Sequence, residues 1–261
     1  MFETIALTTD PRGVTTLTLS RSDKHNAMSA RMIDELAEAA ARLGRDPAVR
    51  AVVLTGAGAS FCAGGDLGWM KAQVEATGAE RAREARRLAE MLGALDALPK
   101  PLIGRVQGQA FGGGVGLISV CDVAVGVEGA GFGLTETRLG LIPATIGPYV
   151  VARMGAAAAR RVFMSARRFD TAEAVRLGLL ARAVPAGDLD EAVEAEVIPY
   201  LATAPGAVAE AKRLLRRLGP QVDAAVVAET IEALVARWES PEAAEGIAAF
   251  FERRAPSWAA S

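Results

Sequence analysis

GRVQGQAFGGGVGLISVCDVAVGVEGAGFGLTETRLG, residues 104–140, decides how the rest of the chain is read. Its lead-in, Pro101 to Val106, is an apolar run with strand character. The cluster Gly112-Gly113-Gly114-Val115-Gly116 follows and opens a short apolar helix, Val115 to Val120. Asp122 to Val127 reads as a second strand and leads to a single carboxylate, Glu136, in the stretch FGLTE. Glycine lets backbone come close to a ligand, and a helix N-terminus aims free N–H groups outward. That pairing suits an anion or a developing oxyanion. A tight strand-to-helix turn that uses glycine only for packing carries the same signature.

Upstream lies a second turn of the same kind. TGAGASFCAGGD, from Thr55 to Asp66, follows a short buried strand, Ala51 to Leu54. Leu67 to Met70 leads into an exposed, Glu/Arg-rich helix from Gly78 to Leu98, with an apolar stripe at Leu88, Met91, Leu92, Leu95 and Leu98. Nearer the N-terminus, Ile5–Leu7 and Val14–Leu19 read as strands of a hairpin turning at Asp10-Pro11-Arg12-Gly13. After the polar loop RSDKHNAMS, Ser29 caps a helix in which Met32, Ile33, Leu36, Ala40 and Leu43 recur at helical spacing, and Asp46-Pro47 stops it.

Downstream of Gly140 the pattern is helical. Asp170-x-x-Glu173 is a capping box and Gly178 closes that helix. Further helices are expected over 189–202, 207–218, 222–238 and 241–254. Strands alternating with helices, with a glycine turn after two of the strands, predict an α/β core whose turns meet at one edge. The composition shift at Ala204-Pro205-Gly206 divides the chain into a core, 1–203, and a helical region, 204–261. Its aromatic residues Trp238, Phe250, Phe251 and Trp258 are expected to pack on the core or on a neighbouring subunit.

The bulk composition narrows the function classes. A chain of 261 residues with 51% hydrophobic residues has ample core for one large domain. A net charge of −2 argues against nucleic acid or an anionic membrane surface as partner. Two cysteines, Cys62 and Cys121, make neither a disulfide framework nor a zinc spacing, and a reducing, cytoplasmic setting is expected. MFETIALTTDPRG does not read as a signal peptide, and no apolar run reaches the ~18 residues of a membrane span.

Most enzymatic signatures are missing. There is no G-x-x-x-x-G-K-[ST] loop, and Gly56-x-Gly58 meets Phe61 where a dinucleotide fingerprint needs its third glycine. His25 is the only histidine and is expected to be solvated, so a Ser-His-Asp triad has no base. Cys62 reads as a packing residue, and no metal-ligand cluster or separate cofactor is expected. What remains is two glycine turns and a carboxylate. Backbone N–H groups of Gly65 and Gly113 would make an oxyanion hole for a thioester enolate, with Glu136 as the proton-transfer group.

SFCAGGDL, then QGQAFGGGVGL with CDVAV, then FGLTETRLGLIPA, together resemble the enoyl-CoA hydratase/isomerase (crotonase) superfamily, and the likeness runs from the N-terminal hairpin to AAFFERRAPSW. It implies an α/β fold, a spiral of ββα units with an α-helical C-terminal region, assembled as a homotrimer or hexamer and acting on an acyl-CoA thioester. Carried over residue by residue, it implies that Gly65 and Gly113 are the oxyanion positions and Glu136 the catalytic glutamate. The loop from Asp23 to Ala27, with Lys24, would flank coenzyme A. Ala63, Gly64, Asp66 and Leu67 would line the thioester side, Trp69 and Met70 the acyl pocket, and Gly112, Gly116 and Thr135 the remaining substrate contacts. Arg253, Arg254 and Trp258 match a tail that approaches a neighbour's coenzyme A.

One position departs from the pattern. Hydratases of this superfamily carry a second glutamate three residues after the oxyanion glycine, where this chain has Gly116. Syn hydration is easily divided between two carboxylates, whereas moving a double bond from the 3- to the 2-position needs only one. The wording of FGLTETRLGLIPATIGPYVVARMG, GGDLGWM and AFGGGVGLISVCD nevertheless resembles the methylglutaconyl-CoA and isohexenylglutaconyl-CoA hydratase branch of leucine and acyclic-terpene breakdown. The expectation is therefore a 2-enoyl-CoA hydratase working with Glu136 alone. An enoyl-CoA isomerase and a non-catalytic acyl-CoA-binding homologue stay open, and Lys71 or Arg138 is either solvated or the partner of a distal acyl carboxylate.

Overall fold

The computed structural model describes residues 1–259. The chain opens with β1 (Ile5–Thr9) and β2 (Val14–Leu19), an antiparallel hairpin, followed by α1 (Ala30–Arg45). Successive turns of chain then repeat one plan. A long strand, β3 (Ala51–Gly56), is followed by a three-residue strand, β4 (Ser60–Cys62), and by helices α2 (Leu67–Glu75) and α3 (Gly78–Asp96). The next turn is β5 (Leu102–Val106), β6 (Gln109–Phe111) and α4 (Gly113–Ser119). The third is β7 (Val123–Val127), β8 (Gly131–Gly133), a 3-10 turn at Glu136–Leu139, and α5 (Gly147–Met154) with α6 (Ala156–Phe163). The chain continues through β9 (Arg168–Asp170), α7 (Thr171–Arg176), β10 (Arg182–Val184), α8 (Leu189–Leu201), α9 (Pro205–Leu218), α10 (Ala224–Trp238) and α11 (Pro241–Glu252).

This alternation sorts the strands into two sheets. The longer strands, with the three-residue β10 at one edge, build a six-stranded sheet in the order β1-β2-β3-β5-β7-β10, and the other short ones a four-stranded sheet in the order β4-β6-β8-β9. From β2 to β10 the first sheet is parallel, and β4, β6 and β8 are parallel in the second. Each turn of the spiral therefore delivers one segment to the same end of the small sheet.

Burial explains the long elements. β3 is buried along its whole length, as a parallel strand covered on both faces must be. The apolar stripe of α1, from Met32 to Leu43, is buried, and Met91, Leu92 and Leu95 of α3 pack into the same core as Leu17, Leu54 and Phe61. Ser29 caps α1 by accepting from the Met32 N–H.

Two expectations about local structure change, and a third gains a contact. Leu67–Met70 is not a run-in to the long helix: α2 is a separate helix, because Asp66 caps it by accepting from Gly68 and Trp69 N–H and Thr77 restarts α3 with a full capping box to Glu80. The Asp170 cap forms, but Glu173 does not turn back to complete the box; its carboxylate takes Arg167 instead, at 2.7 Å and 2.8 Å. His25 is exposed as expected, yet it is tied down, with Nδ1 2.9 Å from Ser60 Oγ.

Candidate active site

The parallel register of β4, β6 and β8 brings their following segments side by side: Ala63-Gly64-Gly65, Gly112-Gly113, and Leu134-Thr135-Glu136. Gly112 turns at φ 49°, which favours glycine, and a Cβ there would stand 3.1 Å from Glu136 Oε1. A Cβ on Gly64 would stand 3.0 Å from Phe111 O and 3.8 Å from Gly113 N. The glycines are the condition for three backbones and a carboxylate to share this space.

The loop at 25–28 fixes the arrangement from one side. Met28 N–H donates to Gly64 O at 2.7 Å and Asp66 N–H donates to Met28 O at 3.0 Å. Asn26, fully buried and left-handed at φ 55°, donates to Ala57 O and Ser60 O and accepts from Arg21 N–H. Those bonds leave the N–H of Gly65 and of Gly113 without an acceptor among the described residues.

Both N–H groups border a cavity of about 400 Å³. Of the residues expected at a site, Ala63, Gly64, Gly65, Leu67, Trp69 and Met70 are in its wall on one side, and Gly112, Gly113, Thr135 and Glu136 on the other. Lys24, Ala27, Asp66 and Gly116 are not in the wall. Lys24 is exposed on the 3-10 turn Ser22–Lys24, and Ala27 is buried behind that turn. Asp66 is engaged elsewhere: besides capping α2 it pairs with Arg21 at 2.9 Å. Burial opposes ionisation of Asp66, but Arg21 and the two N–H donors outweigh it and hold the carboxyl below the usual range. Gly116 faces away from open space, since a Cβ there would stand 2.5 Å from Ile146 Cγ2. Ile146 itself lines the cavity. Between Gly116, which is expected at the substrate, and the cavity stands hydrocarbon.

Several wall residues are not among those the sequence places at the oxyanion, thioester or acyl positions. Met28 lies over Gly113, where a Cβ would meet its methyl at 2.1 Å. Ile33 and Leu88 come from the α1 and α3 stripes, and Leu234, Trp238 and Phe250 come from the C-terminal helices. Arg168 stands with its guanidinium carbon 5.0 Å from the Phe111 ring centre. Arg138 is an exposed part of the wall; Lys71 is exposed and outside it. Arg254 is paired with Glu245 at 2.7 Å and with Glu252, on the surface.

Glu136 is the carboxylate in the cavity wall. Its Oε2 is enclosed and has no hydrogen-bond donor among the described residues. Burial pushes its pKa up to about 7, with its own backbone N–H the only opposing influence. A carboxyl balanced near neutral pH can both take and return a proton. Cys62, by contrast, is fully buried with its thiol pushed up to about 12 by burial, which suits packing and not nucleophilic attack. Among the described residues no three His, Cys, Asp or Glu side chains cluster as metal ligands, and no helix is long and apolar enough to cross a membrane.

Known proteins resemble this chain over most of its length. Residues 9–261 match the family model described as enoyl-CoA hydratase/isomerase. An enoyl-CoA hydratase from Shewanella pealeana is 38% identical and superposes with a TM-score of 0.81 over 99% of this chain and 97% of its own. Pseudomonas aeruginosa AtuE is also 38% identical, with a TM-score of 0.79 over 99% of this chain and all of its own. Mouse enoyl-CoA hydratase domain-containing protein 2, mitochondrial, is 33% identical over 264 residues, 97% of this chain and 86% of that protein. The repeated turns described above are accordingly the crotonase-like α/β fold, and the chain belongs to the enoyl-CoA hydratase/isomerase family.

Proposed function

We propose that the protein is a hydratase that adds water across the 2,3 double bond of an acyl-CoA thioester, using Glu136 as its single acid–base group. The observation that carries this reading is the Glu136 carboxyl, its Oε2 enclosed and without a donor among the described residues and its pKa raised to about 7, beside two unpaired backbone N–H groups at one cavity. Ionised Glu136 removes a proton from water as its oxygen bonds to Cβ. Electrons of the double bond move onto the thioester oxygen, where the N–H groups of Gly65 and Gly113 hold the enolate. One such donor is worth ~2.7–4 kcal/mol in the transition state. The enolate then collapses and takes the proton from Glu136 at Cα, which restores the carboxylate. Trp69 and Met70 border the acyl chain on one side, and Leu67 borders the thioester.

A second reading, an enoyl-CoA isomerase, is favoured by Ile146 standing where a carboxylate at residue 116 would project. There Glu136 lifts the α proton and returns it at Cγ. Products from 2-enoyl-CoA thioesters, including 3-methylglutaconyl-CoA, and from a 3-enoyl-CoA distinguish the two by mass and chromatography. Gain of one water from a 2-enoyl substrate supports hydration. A moved double bond at constant mass makes the protein an isomerase. Binding of an acyl-CoA with turnover of neither overturns both.

The helical region from residue 204 is the proposed assembly surface of a homotrimer or hexamer. Exposed Leu214, Leu215, Leu218, Phe250 and Phe251 support that role. A monomer by light scattering at micromolar concentration would overturn it.

A further inference from the structure

α2 is an unusual wall for a cavity. It supplies Leu67, Trp69 and Met70 to the lining, yet within it only Gln73 is buried. Its attachment comes instead from side chains of α3. Arg81 donates to the Gln73 and Val74 carbonyls at 2.9 Å and 3.0 Å, and thereby ends the helix. Glu84, one turn on, accepts the Trp69 indole N–H on Oε2 at 3.2 Å. Its other oxygen accepts from Arg87 at 2.7 Å, and Arg87 in turn reaches Asp34 of α1 at 3.2 Å. Glu84 is thus braced from the packed α1–α3 pair, with its side chain 14% exposed.

What Glu84 holds is next to the reacting end of the cavity. A Cβ on Gly65 would lie 3.6 Å from Trp69 Cε3 and 3.7 Å from its Cζ3, so the indole edge rests against Gly65. A residue with few buried contacts of its own helix is poorly placed by packing alone, and a directed hydrogen bond restores its orientation. We propose that Glu84 is a positioning residue for the reaction: through the Trp69 indole N–H it sets the wall against Gly65 and so fixes the space in which the thioester end of the acyl chain lies. This rests on the acyl-thioester reading of the cavity, although its physical part, the hold of Glu84 on Trp69, does not.

The test is a double-mutant cycle on the full chain with two readouts. Glu84→Ala is expected to lower kcat on the turned-over enoyl-CoA about tenfold, because displacements of about 1 Å at a site cost rate steeply. Binding of free coenzyme A should stay unchanged. Glu84→Gln, which keeps an acceptor for the indole, should recover to within about threefold. In a Trp69→Phe background Glu84→Ala should cost nothing further. Acrylamide quenching of tryptophan emission should rise in Glu84→Ala, and that rise should vanish in the Trp69→Phe background. Additive losses in kcat, or quenching that Glu84→Ala leaves unaltered, would overturn the proposal. Trp69→Phe leaves the Arg87 pairs intact and carries the same kcat expectation should Glu84→Ala not fold. Wild-type protein inert toward every enoyl-CoA sinks the functional reading, while the quenching cycle still decides whether Glu84 holds Trp69.

Discussion

Two glutamates enter the interior of this molecule, in different regions and with opposite results. Glu35 is in α1, under the N-terminal strand, and Glu136 begins the 3-10 turn after β8. Burial raises the pKa of Glu35 too, but it is surrounded by donors: the Thr4 hydroxyl and N–H, the Glu3 N–H and the Arg31 guanidinium. Together they carry its carboxyl down to about 2. Glu136 has no such set, and burial carries it up to about 7. Enclosure is common to both; the supply of donors decides whether a buried carboxyl is a structural anion or a reactive acid–base group.

The largest effect expected from this contrast is on activity. Glu136→Gln should lower turnover of the active thioester by roughly 10²–10⁴, the usual worth of a positioned acid–base group. An unaltered kcat would remove Glu136 from the mechanism. Wild-type kcat/KM should fall on the acid side with a midpoint near the raised value of about 7, since the first step needs the carboxylate. A midpoint near 4 would mean that Glu136 is solvated or finds a donor, and the contrast with Glu35 would be lost.

Stability should move in opposite directions at the two positions. Glu35→Ala strands the donors of Thr4, Glu3 and Arg31 and should cost roughly 2–4 kcal/mol by urea denaturation at pH 7. The folded pKa of Glu35 lies below its unfolded value, so its contribution is present above about 4.5 and is lost as pH falls toward about 2. The difference between wild type and Glu35→Ala should shrink over that window. For Glu136 the folded value is above the unfolded one. No penalty exists below about 4.5; it grows as pH rises to about 7 and persists above. Glu136→Gln should therefore stabilise the protein at pH 8 by up to about 3 kcal/mol and by nothing at pH 4. Equal gains at both pH values would point to better packing and not to a relieved charge.

The same physics explains what could be read from the chain beforehand. α1 and β3 are legible because a stripe or an unbroken apolar run repeats long enough to declare its period. β4, β6, β8 and β9 span three residues each, too short for alternation to show, and they carry the site. The glycines and Glu136 stood out by residue type: glycine marks close backbone approach, and a lone carboxylate in apolar company invites a question. Met28 and Ile146 did not, since a hydrophobic side chain announces burial but not direction. Asp66 reads as a site residue from its place beside the glycines, and its spacing to Gly68 and Trp69 is that of a helix cap.

Ile146 leads to the smallest effect and to the reason Glu136 stands alone. With 2.5 Å between a would-be Cβ on Gly116 and Ile146 Cγ2, Gly116→Ala overpacks a buried contact and should cost about 1–3 kcal/mol. Ile146→Ala removes the clashing methyl, so the double variant should be less destabilised than the sum of the two single changes, by the coupling expected of residues in contact. Gly116→Glu meets the same wall. It should add nothing to hydration, since the new carboxylate has to displace Ile146 before it can reach the cavity. If Gly116→Glu instead folds at full stability and speeds hydration, the flank beside Glu136 is open, and the carboxyl owes its isolation to the missing residue at 116 alone and not to the hydrocarbon packed there.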